Sequence, residues 1–518
     1  MELDRFDVII IGTGAGGGTL LHALAPTGKR ILVLERGGFL PREKENWDPR
    51  AVNVESRYQS GETWYDAEDK PFSPYTHYWV GGNTKVYGAA LLRMREHDFG
   101  EVRHYGGVSP SWPISYADLE PYYTQAEQLY SVHGERSQDP HDPWASAPYS
   151  HGPLAHEPRM KEVLDDLKAI GYRPFPIPIG LRMTDRGVGQ PRSPETRLSM
   201  FDGYPDPTET KADSHVSCVQ PALNRSNVTL LTNAFALQLL TDAQGREVTG
   251  VAAIHNGERV TFRGAIVVLA CGAINSAALL LRSASEKHPH GLANGSGQVG
   301  RNYMCHHNGL FIVVTDKPNP SPFQKSFGMT DFYRGADDSD LPLGTIQLMG
   351  KPDRWTIEAL AKTALPGVPI EDIMPRTIDF FITAEDLPDP ENRVTLRPDG
   401  SIRLTRRENN LQAYARLKQK LTQVMDRCSR EGRLGANPVY LEARLGISGV
   451  SHQCGTLRFG TDPASSVLDV NCRTHQVENL YVVDSSFFPS SSAVNPSLTI
   501  MANAIRVGAQ IEARLASR

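Results

Sequence analysis

Apolar residues near the start of the chain fall into two short runs of the kind that form buried parallel strands. The first run covers residues 8–11 and the second covers residues 31–34. A glycine-rich turn and a helical pattern lie between them, so residues 6–36 are predicted to form strand, turn, helix and strand. A third buried run, 266–270, leads through Gly272 into a predicted helix over 273–284.

The middle of the chain mixes strand and helix patterns. Alternating or continuous apolar runs predict strands over 228–240, 248–254, 260–262, 310–314 and 377–383. A hairpin is predicted at 393–396 and 402–404, around the turn Pro398-Asp399-Gly400. Helical spacing of apolar residues predicts helices over 112–133, 159–170, 409–431 and 496–515. Residues 40–78 are polar without a clear period and are predicted to be loop.

These elements predict an α/β fold with two domains, because 518 residues are too many for one ordinary core. The first is a Rossmann-like nucleotide-binding domain built from the discontinuous segments 1–100, 212–308 and 445–518. The second is a substrate-binding domain with an antiparallel or mixed sheet and helices, formed by 309–444. Residues 101–211 are predicted to be a linker and helical cover that belongs with this second domain.

Charge and composition exclude several classes of protein. Lys and Arg total 54 against 59 Asp and Glu, with no long basic run, so nucleic acid is not an expected partner. No apolar run approaches the roughly 20 residues that span a bilayer, and the first strand begins too early to leave room for a signal peptide. The six cysteines contain no CxxC pair and are expected to be reduced thiols. A cytoplasmic enzyme is therefore expected, with no membrane partner.

The turn after the first strand carries a dinucleotide-binding fingerprint that runs from Gly12 to Gly17. Gly12 permits the tight turn, Gly14 lets the backbone approach a pyrophosphate, and Gly17 lets helix and strand pack closely. Glu35 ends the next strand, where a carboxylate can accept hydrogen bonds from ribose hydroxyls. A plain glycine-rich loop is the alternative interpretation, and the fingerprint alone does not separate NAD from FAD.

A second group of candidate residues lies near the C-terminus. His452 is followed by a strand that ends at Asp484 and then by Asn495, directly before Pro496 and a predicted helix. A neutral histidine suits the work of a general base near neutral pH. The alternative interpretations are that His452 is a core histidine and that Asn495 only caps the helix.

The order of these motifs resembles that of the glucose–methanol–choline oxidoreductases, which are FAD enzymes that take a hydride from an alcohol carbon. The segments that carry the resemblance are 12–17 with Glu35, 80–84, 272–276, 300–302, and those around His452 and Asn495. Within the family the chain is most similar to the pyranose oxidase branch, particularly the bacterial sugar and glycoside 3-oxidases. Segments 80–89 and 389–394 support that placement.

The resemblance implies a role for each motif. His452 would take the hydroxyl proton, and Asn495 would hydrogen-bond the same hydroxyl. For Ala236, which matches a position near the adenine, an ordinary strand residue is the alternative. The implied FAD contacts are Gly12, Thr13, Gly14, Ala15, Gly17, Glu35, Arg36, Gly81, Gly82, Asn83, Thr84, Ala236, Gly272, Asp484, Ser485, Pro496 and Ser497.

Three further expectations concern the cofactor, metals and the substrate. Fungal members of the branch tether FAD through a histidine where this chain has Val86, so FAD is expected to be non-covalent and the upstream His77 to be a loop residue. His306 and His307 are adjacent and lack a third ligand, so no metal is expected. Candidate sugar contacts are Gln347, Asp353 and Arg354, although similar residues occur in most loops.

The expected reaction is FAD-dependent oxidation of a secondary hydroxyl of a pyranose sugar or glycoside to a keto-sugar. Position C3 is favoured and C2 is possible, with oxygen, which would yield hydrogen peroxide, or a quinone-like compound as electron acceptor. The protein is expected to be a monomer or small homo-oligomer. The alternatives are an aminoglycoside-pathway oxidoreductase acting on a primary hydroxyl, a lyase that keeps FAD without redox use, and an NAD-binding module.

Overall fold

The computed structural model describes residues 6–182 and 201–517. A five-stranded parallel sheet forms the centre of the nucleotide-binding region. Because all of its strands are parallel, their carboxyl ends meet at one edge, where α/β proteins bind nucleotides. The predicted Rossmann-like arrangement is therefore confirmed. In spatial order the strands are Val228–Leu231, Ile31–Leu34, Phe6–Ile11, Gly264–Leu269 and Leu480–Val482.

Helices cover this sheet and bring the two ends of the chain together. The first helix, Ala15–Leu24, packs against the last, Ser497–Ala516. Gly508 lies where a side chain would come within 3.3 Å of Leu20, so the two helices approach closely. Helix Tyr116–Leu129 packs against the other side of the last helix. The C-terminal segment that carries Asn495 is thereby held beside the glycine-rich turn.

A second sheet of six strands forms the substrate side of the molecule. Helix Leu411–Glu431 packs against it, and its buried face, including Leu417 and Met425, shares a core with Phe311 and Phe380. One strand comes from the predicted linker, and the rest come from 307–444. In spatial order they are Val439–Arg444, His307–Val314, Thr377–Ala384, Thr345–Leu348, Phe327–Met329 and Phe175–Pro176.

The remaining elements are mostly short. The other strands are Trp64–Tyr65, Pro71–Phe72, Val102–His104, Gly107–Ser109, Val132–His133, Ile179–Gly180, Ala234–Thr241, Val248–His255, Glu258–Phe262, Met304–Cys305, Arg393–Leu396, Ile402–Thr405 and Gln453–Cys454. The other helices and helical turns are Ala25–Thr27, Lys44–Trp47, Arg50–Val54, Gly82–Lys85, Glu96–Phe99, Pro158–Ala169, His215–Val219, Gln220–Ala222, Ala273–Arg282, Arg354–Ala364, Ile370–Ile373, Met374–Arg376 and Ser485–Phe487.

Several predicted boundaries were wrong. The strand predicted over 228–240 is two strands in different sheets, because Asn233 adopts a left-handed conformation with φ of 51° and turns the chain. The helix predicted over 112–133 begins only at Tyr116, where the side chain of Ser115 accepts a hydrogen bond from the backbone N–H of Asp118. Residues 40–78, predicted to be loop, contain short helical turns and strands.

The hairpin at 393–396 and 402–405 is confirmed, but its partner is unexpected. Arg403 pairs with Tyr65, which belongs to the segment assigned to the nucleotide-binding domain. The helix Arg354–Ala364 and the strands Phe327–Met329 and Thr345–Leu348 were not predicted. None of the helices within residues 6–182 and 201–517 combines the length and apolar character needed to cross a bilayer.

Candidate active site

A cavity of about 620 Å³ begins at the carboxyl edge of the parallel sheet and reaches the six-stranded sheet. Its walls include Ile11 and Leu34 from the first sheet and Leu310 and Phe381 from the second. The volume lies within the range of cofactor and small-molecule sites. The cavity therefore joins the nucleotide cradle to the region predicted to bind substrate.

The glycine-rich turn has the geometry of a phosphate cradle. Gly12 has a φ of 102°, and a Cβ there would lie 2.4 Å from the carbonyl oxygen of Ala270. A Cβ on Gly17 would lie 2.0 Å from the carbonyl oxygen of Gly12, so both positions need glycine for packing. Gly14 differs, since it lines the cavity and a Cβ there would meet nothing within 4 Å. The backbone at Gly14 thus faces free space beside the start of a helix, as a bound phosphate requires.

Glu35 stands at the cavity wall at the end of its strand. Its Oε2 accepts hydrogen bonds from the backbone N–H of Thr13 at 3.0 Å and from the Thr13 hydroxyl at 2.5 Å. Its Oε1 accepts from the backbone N–H of Gly37 at 3.0 Å. Burial raises the pKa of Glu35, and these donors oppose the shift. The carboxylate is held in place before any ligand arrives.

Arg36 lies in the same part of the cavity wall. Its Nη2 lies 3.0 Å from Oε1 of Glu62, and its guanidinium carbon lies 4.1 Å and 4.3 Å from the ring centroids of Tyr78 and Phe235. Two aromatic faces and one carboxylate therefore fix this cation.

The segment from Gly81 to Thr84 is tied to the cradle by hydrogen bonds. The backbone N–H of Gly81 donates to the hydroxyl of Thr13 at 3.0 Å, and the hydroxyl of Thr84 donates to the carbonyl of Gly81 at 2.5 Å. The side-chain oxygen of Asn83 accepts from the backbone N–H of His77 at 2.9 Å. A ligand in the cradle would therefore touch both segments.

Asp484 joins the last strand of the parallel sheet to a neighbouring helix. Its Oδ2 accepts from the backbone N–H of Gly272 at 3.0 Å and from the hydroxyl of Ser276 at 2.5 Å, while its Oδ1 accepts from the backbone N–H of Ser486 at 3.0 Å. Burial raises its pKa. The carboxylate thus fixes the cavity wall at Gly272, where helix Ala273–Arg282 begins.

His452 lines the cavity at the end next to the six-stranded sheet. Its Nδ1 lies 3.0 Å from Nδ1 of His306 and 3.3 Å from the side-chain nitrogen of Asn308. Its Nε2 makes no hydrogen bond to any of residues 6–182 or 201–517, and so it is free to meet a ligand in the cavity. Burial lowers the pKa of His452 well below its usual value, and His306 and Lys325 add to the effect. The ring is neutral at physiological pH, as a general base must be.

Asn495 also lines the cavity, and its amide orientation is set by a neighbour. Its Oδ1 accepts a hydrogen bond from Nε2 of Gln347 at 2.7 Å, which leaves the Nδ2 hydrogens as donors. The last helix begins at Ser497 with Pro496 as its N-cap, one residue later than predicted, and the side chain of Asn495 caps nothing. The geometry therefore favours a role in the cavity over helix capping.

Comparison with known proteins agrees with this architecture. Two models described as GMC oxidoreductase match, one over residues 7–308 and one over residues 382–504. The chain belongs to the glucose–methanol–choline (GMC) oxidoreductase family. It is an FAD-dependent oxidoreductase that acts on CH–OH donors.

Three similar proteins illustrate the family. The 6'''-hydroxyparomomycin C oxidase of Streptomyces lividus is 32% identical over 99% of this chain and 92% of its own length. Paromamine 6'-oxidase of Streptomyces fradiae is 30% identical with the same coverage. The crystal structure of pyridoxine 4-oxidase from Mesorbium loti shares the fold, with a TM-score of 0.65 at 17% identity, covering 98% of this chain and 99% of its own.

In this GMC enzyme most of the predicted site residues line one cavity. They are His452 and Asn495 together with Gly12, Thr13, Gly14, Ala15, Glu35, Arg36, Gly82, Asn83, Thr84, Ala236, Gly272, Asp353, Asp484, Ser485, Pro496 and Ser497. Gly17, Gly81 and Gln347 lie behind the lining and contact Gly12, Thr13 and Asn495 respectively. Arg354 lies outside the lining, with its guanidinium 2.7 Å from Glu371.

Sequence reasoning missed several residues of the GMC site. His306, which was considered with His307 only as a metal ligand, and Asn308, which was not considered at all, both contact His452. The alternation of side chains along an extended segment could have indicated this arrangement. The first and third residues of the His-His-Asn triplet face one side, towards His452, and His307 faces the other side, towards Asp386. Within the described residues, no group of three or more His, Cys, Asp and Glu side chains is arranged to hold a metal. Asn53, Tyr75 and Tyr204 also line the cavity and had no sequence signal.

Proposed function

We propose that this GMC enzyme oxidises a hydroxyl group of a sugar or glycoside to a carbonyl group, using non-covalently bound FAD. The observation that carries the proposal is the joint presence of His452 and Asn495 in the cavity that starts at the glycine cradle. One supplies a free basic nitrogen, and the other supplies an amide donor. An alcohol that loses its hydroxyl proton and a hydride needs both a base for the proton and a donor to the oxygen.

FAD suits the cavity because the cradle leaves open space at Gly14, where a phosphate would approach. Gly14 would meet the phosphates at the start of helix Ala15–Leu24, and Glu35 and Asp484 would accept hydrogen bonds from the hydroxyls of the bound group. When bound, the flavin would accept the hydride from the carbinol carbon. The tether position holds Val86, an apolar residue of the cavity wall, which supports non-covalent binding.

The roles of the two side chains follow from their hydrogen bonds. Nε2 of His452 would accept the proton of the substrate hydroxyl. Nδ2 of Asn495 would donate to the oxygen of the same hydroxyl and stabilise the negative charge that grows there as the proton leaves. Gln347 keeps Asn495 in this orientation by donating to its Oδ1. Both side chains are thus held by neighbours before a substrate arrives, so the site is preorganised.

The favoured substrate is a pyranose or glycoside that loses hydrogen from a secondary carbon, C3 before C2. A second candidate is the 6-hydroxyl of an aminoglycoside, favoured by the names of the two Streptomyces relatives. Asp353 bears on the choice, because this carboxylate lines the cavity and has no ion-pair partner among residues 6–182 and 201–517. An ammonium group of an amino sugar would find its counter-ion there, whereas a neutral sugar would need only a hydrogen-bond acceptor.

Anaerobic reduction of the bound flavin by a panel of sugars tests the proposal. Neutral glucosides, glucosamine and paromamine would be compared by loss of flavin absorbance, and the products would be assigned by carbon NMR as ring ketones or aldehydes. Bleaching by any of these sugars supports sugar oxidation. Bound flavin that no sugar reduces would contradict it and favour a lyase or an enzyme for another alcohol.

Asp353→Asn separates the two substrate candidates. If an ammonium group pairs with Asp353, the variant should lose affinity for the amino sugar by roughly tenfold or more, the weight of one hydrogen bond to a charged group. Its affinity for a neutral glucoside should barely change. Equal effects on both sugars would show that Asp353 does not distinguish them.

A separate measurement identifies the electron acceptor. Formation of hydrogen peroxide in air would be compared with reduction of a quinone by the same enzyme and sugar.

A further inference from the structure

A second imidazole lies behind His452, on the side away from the cavity. His306 is fully buried and does not line the cavity, yet its ring stands perpendicular to that of His452 with centroids 5.1 Å apart. The two Nδ1 atoms are 3.0 Å apart. The other nitrogen of His306, Nε2, lies 3.1 Å from the carbonyl oxygen of Ser491. The reaction proposed above assigns no task to His306.

The carbonyl of Ser491 decides where the protons of this pair lie. A carbonyl oxygen only accepts, so Nε2 of His306 must carry a hydrogen and donate it. Burial lowers the pKa of His306, so the ring is neutral and its Nδ1 has a lone pair instead of a hydrogen. The hydrogen between the two Nδ1 atoms therefore belongs to His452. His452 is then bare at Nε2, the nitrogen left free for the cavity.

The reverse arrangement is unfavourable. If Nδ1 of His306 carried the hydrogen, its bare Nε2 would face the oxygen of Ser491 at 3.1 Å, with two lone pairs opposed. The first arrangement also requires the amide of Asn308 to be turned by 180° from the placement described above, in which its nitrogen faces Nδ1 of His452 and its oxygen accepts from the hydroxyl of Thr383. When its amide oxygen faces His452, that oxygen accepts from the same Nδ1–H, and the amide nitrogen donates to the hydroxyl of Thr383, 2.9 Å away.

We propose that His306 is a positioning residue that holds His452 as its Nδ1–H tautomer, with Nε2 as the basic nitrogen directed at the substrate. This role rests on the proposed function of His452 as the base. The substrate hydroxyl proton moves to Nε2, while the hydrogen on Nδ1 stays and donates to His306. Because the donor ring is then charged, that hydrogen bond strengthens and stabilises the protonated base.

The charges around the pair limit it to one positive charge. Lys325 and His306 lower the pKa of His452. Glu385 raises the pKa of His306, and Arg406 lowers it. A charge on either ring would lower the pKa of the other, so two imidazolium rings at this separation are excluded near neutral pH. His306 therefore serves as a hydrogen-bond acceptor and not as a second base.

Two variants of His306 test the roles of its two nitrogens separately. In His306→Asn the amide oxygen takes the place of Nδ1 and keeps the acceptor for His452. In His306→Gln the amide nitrogen takes the place of Nε2 and keeps the bond to Ser491, but no acceptor faces His452. Flavin reduction should fall by roughly 10- to 100-fold in the Gln variant, by analogy with loss of the group that orients a metal-bound histidine. The Asn variant should stay within a few-fold of the wild type.

The pH profile gives a reading that packing damage would not produce. In the Gln variant, the protonated base loses its acceptor, so the acid limb of the profile should move to lower pH. His307→Asn is the matched control, since this neighbouring buried histidine faces Asp386 and should leave the profile unchanged. Equal losses in the Asn and Gln variants, or a shift to higher pH, would overturn the proposal.

Nitrogen NMR of the histidine-labelled, FAD-loaded protein reads the tautomer directly. The signals of His452 are those missing from His452→Asn, and Nδ1 should be protonated and Nε2 bare in the wild type. An Nε2–H tautomer would overturn the positioning role whatever the activities are. Normal flavin reduction in His452→Ala would instead remove the base assignment, so the two failures are distinguishable.

Discussion

His452 is the residue on which the proposed chemistry depends most. Replacing it by Ala should slow flavin reduction by on the order of 10²- to 10⁴-fold, the usual contribution of a general base. FAD should remain bound, because the cradle and Asp484 lie in other segments. Stopped-flow reduction and the flavin spectrum measure the two effects separately. His255→Ala, on a strand outside the cavity lining, is the control, and loss of FAD from the His452 variant would instead show a structural role.

Burial of His452 has a consequence for pH dependence. Because its pKa lies well below the usual value of about 6.5, the ring of this proposed base stays unprotonated in mildly acid solution. The rate of flavin reduction should therefore stay level from pH 8 down to about 6.5, where an ordinary histidine would already be half protonated. The unfolded chain takes up a proton there that the folded chain refuses, so this residue lowers stability as pH falls below about 6.5. A rate that halves at pH 6.5 would contradict the shift.

Asn495→Asp tests the neighbouring side chain by charge. A carboxylate would oppose the negative charge that grows on the substrate oxygen and on the reduced flavin, so both the reduction rate and the flavin midpoint potential should drop substantially. It would also accept from Gln347 as Asn495 does, which keeps that contact. A residue that merely capped the helix would tolerate the change, because Asp caps about as well as Asn. Unchanged rate and potential would return Asn495 to a structural role.

The glycine turn offers a matched pair of alanine variants. Gly14→Ala adds a Cβ into open cavity space at an extended backbone, so the folded protein without FAD should keep its stability while FAD affinity falls. Gly17→Ala forces a Cβ to within 2.0 Å of a backbone oxygen, so stability itself should fall by about 1–3 kcal/mol. Thermal unfolding of the FAD-free proteins and FAD titration separate the two. Equal stability loss in both would refute the assignment of Gly14 to the phosphates.

Turns and caps set the residues at which helices and strands begin and end, and these boundaries were hard to predict from the sequence. The break after Leu231 depends on one left-handed residue, Asn233, within an otherwise continuous apolar pattern. Strand Thr345–Leu348 alternates polar and apolar residues over only four positions, which was too short a pattern to distinguish it from the surrounding chain. In contrast, Leu411–Glu431 was predicted within two residues, because its apolar spacing repeats over many turns.

For the molecule as a whole, the state of the cofactor is the simplest test. Purified protein should be yellow, and acid precipitation should release FAD into the supernatant, because Val86 offers no nucleophile at the tether position. His77 is the residue to test as an alternative point of covalent attachment. It is buried in the cavity wall, its Nδ1 makes no hydrogen bond among the described residues, and burial lowers its pKa to about 4. Colour that stays with the pellet in the wild type but not in His77→Ala would overturn non-covalent binding.

The sequence by itself determined the nucleotide-binding half of the protein. Its signals are local: buried runs such as 8–11, glycines at fixed spacing and an acid at a strand end each depend on a few consecutive residues. The same holds for His452 and Asn495, whose motifs lie in short segments near the C-terminus. The order of these motifs was enough to indicate the family, the cofactor and the class of reaction.

Only the tertiary structure decided which side chains meet. Asn495 and Gln347 are 148 positions apart, and His452 and His306 are 146 apart, yet each pair is hydrogen-bonded. Such contacts depend on how two sheets pack around a cavity, and no local pattern encodes that distance. The folded chain places His306, considered from sequence only as a metal ligand, against the proposed base His452. It directs Arg354 outward to Glu371, because helix Arg354–Ala364 presents that residue to solvent.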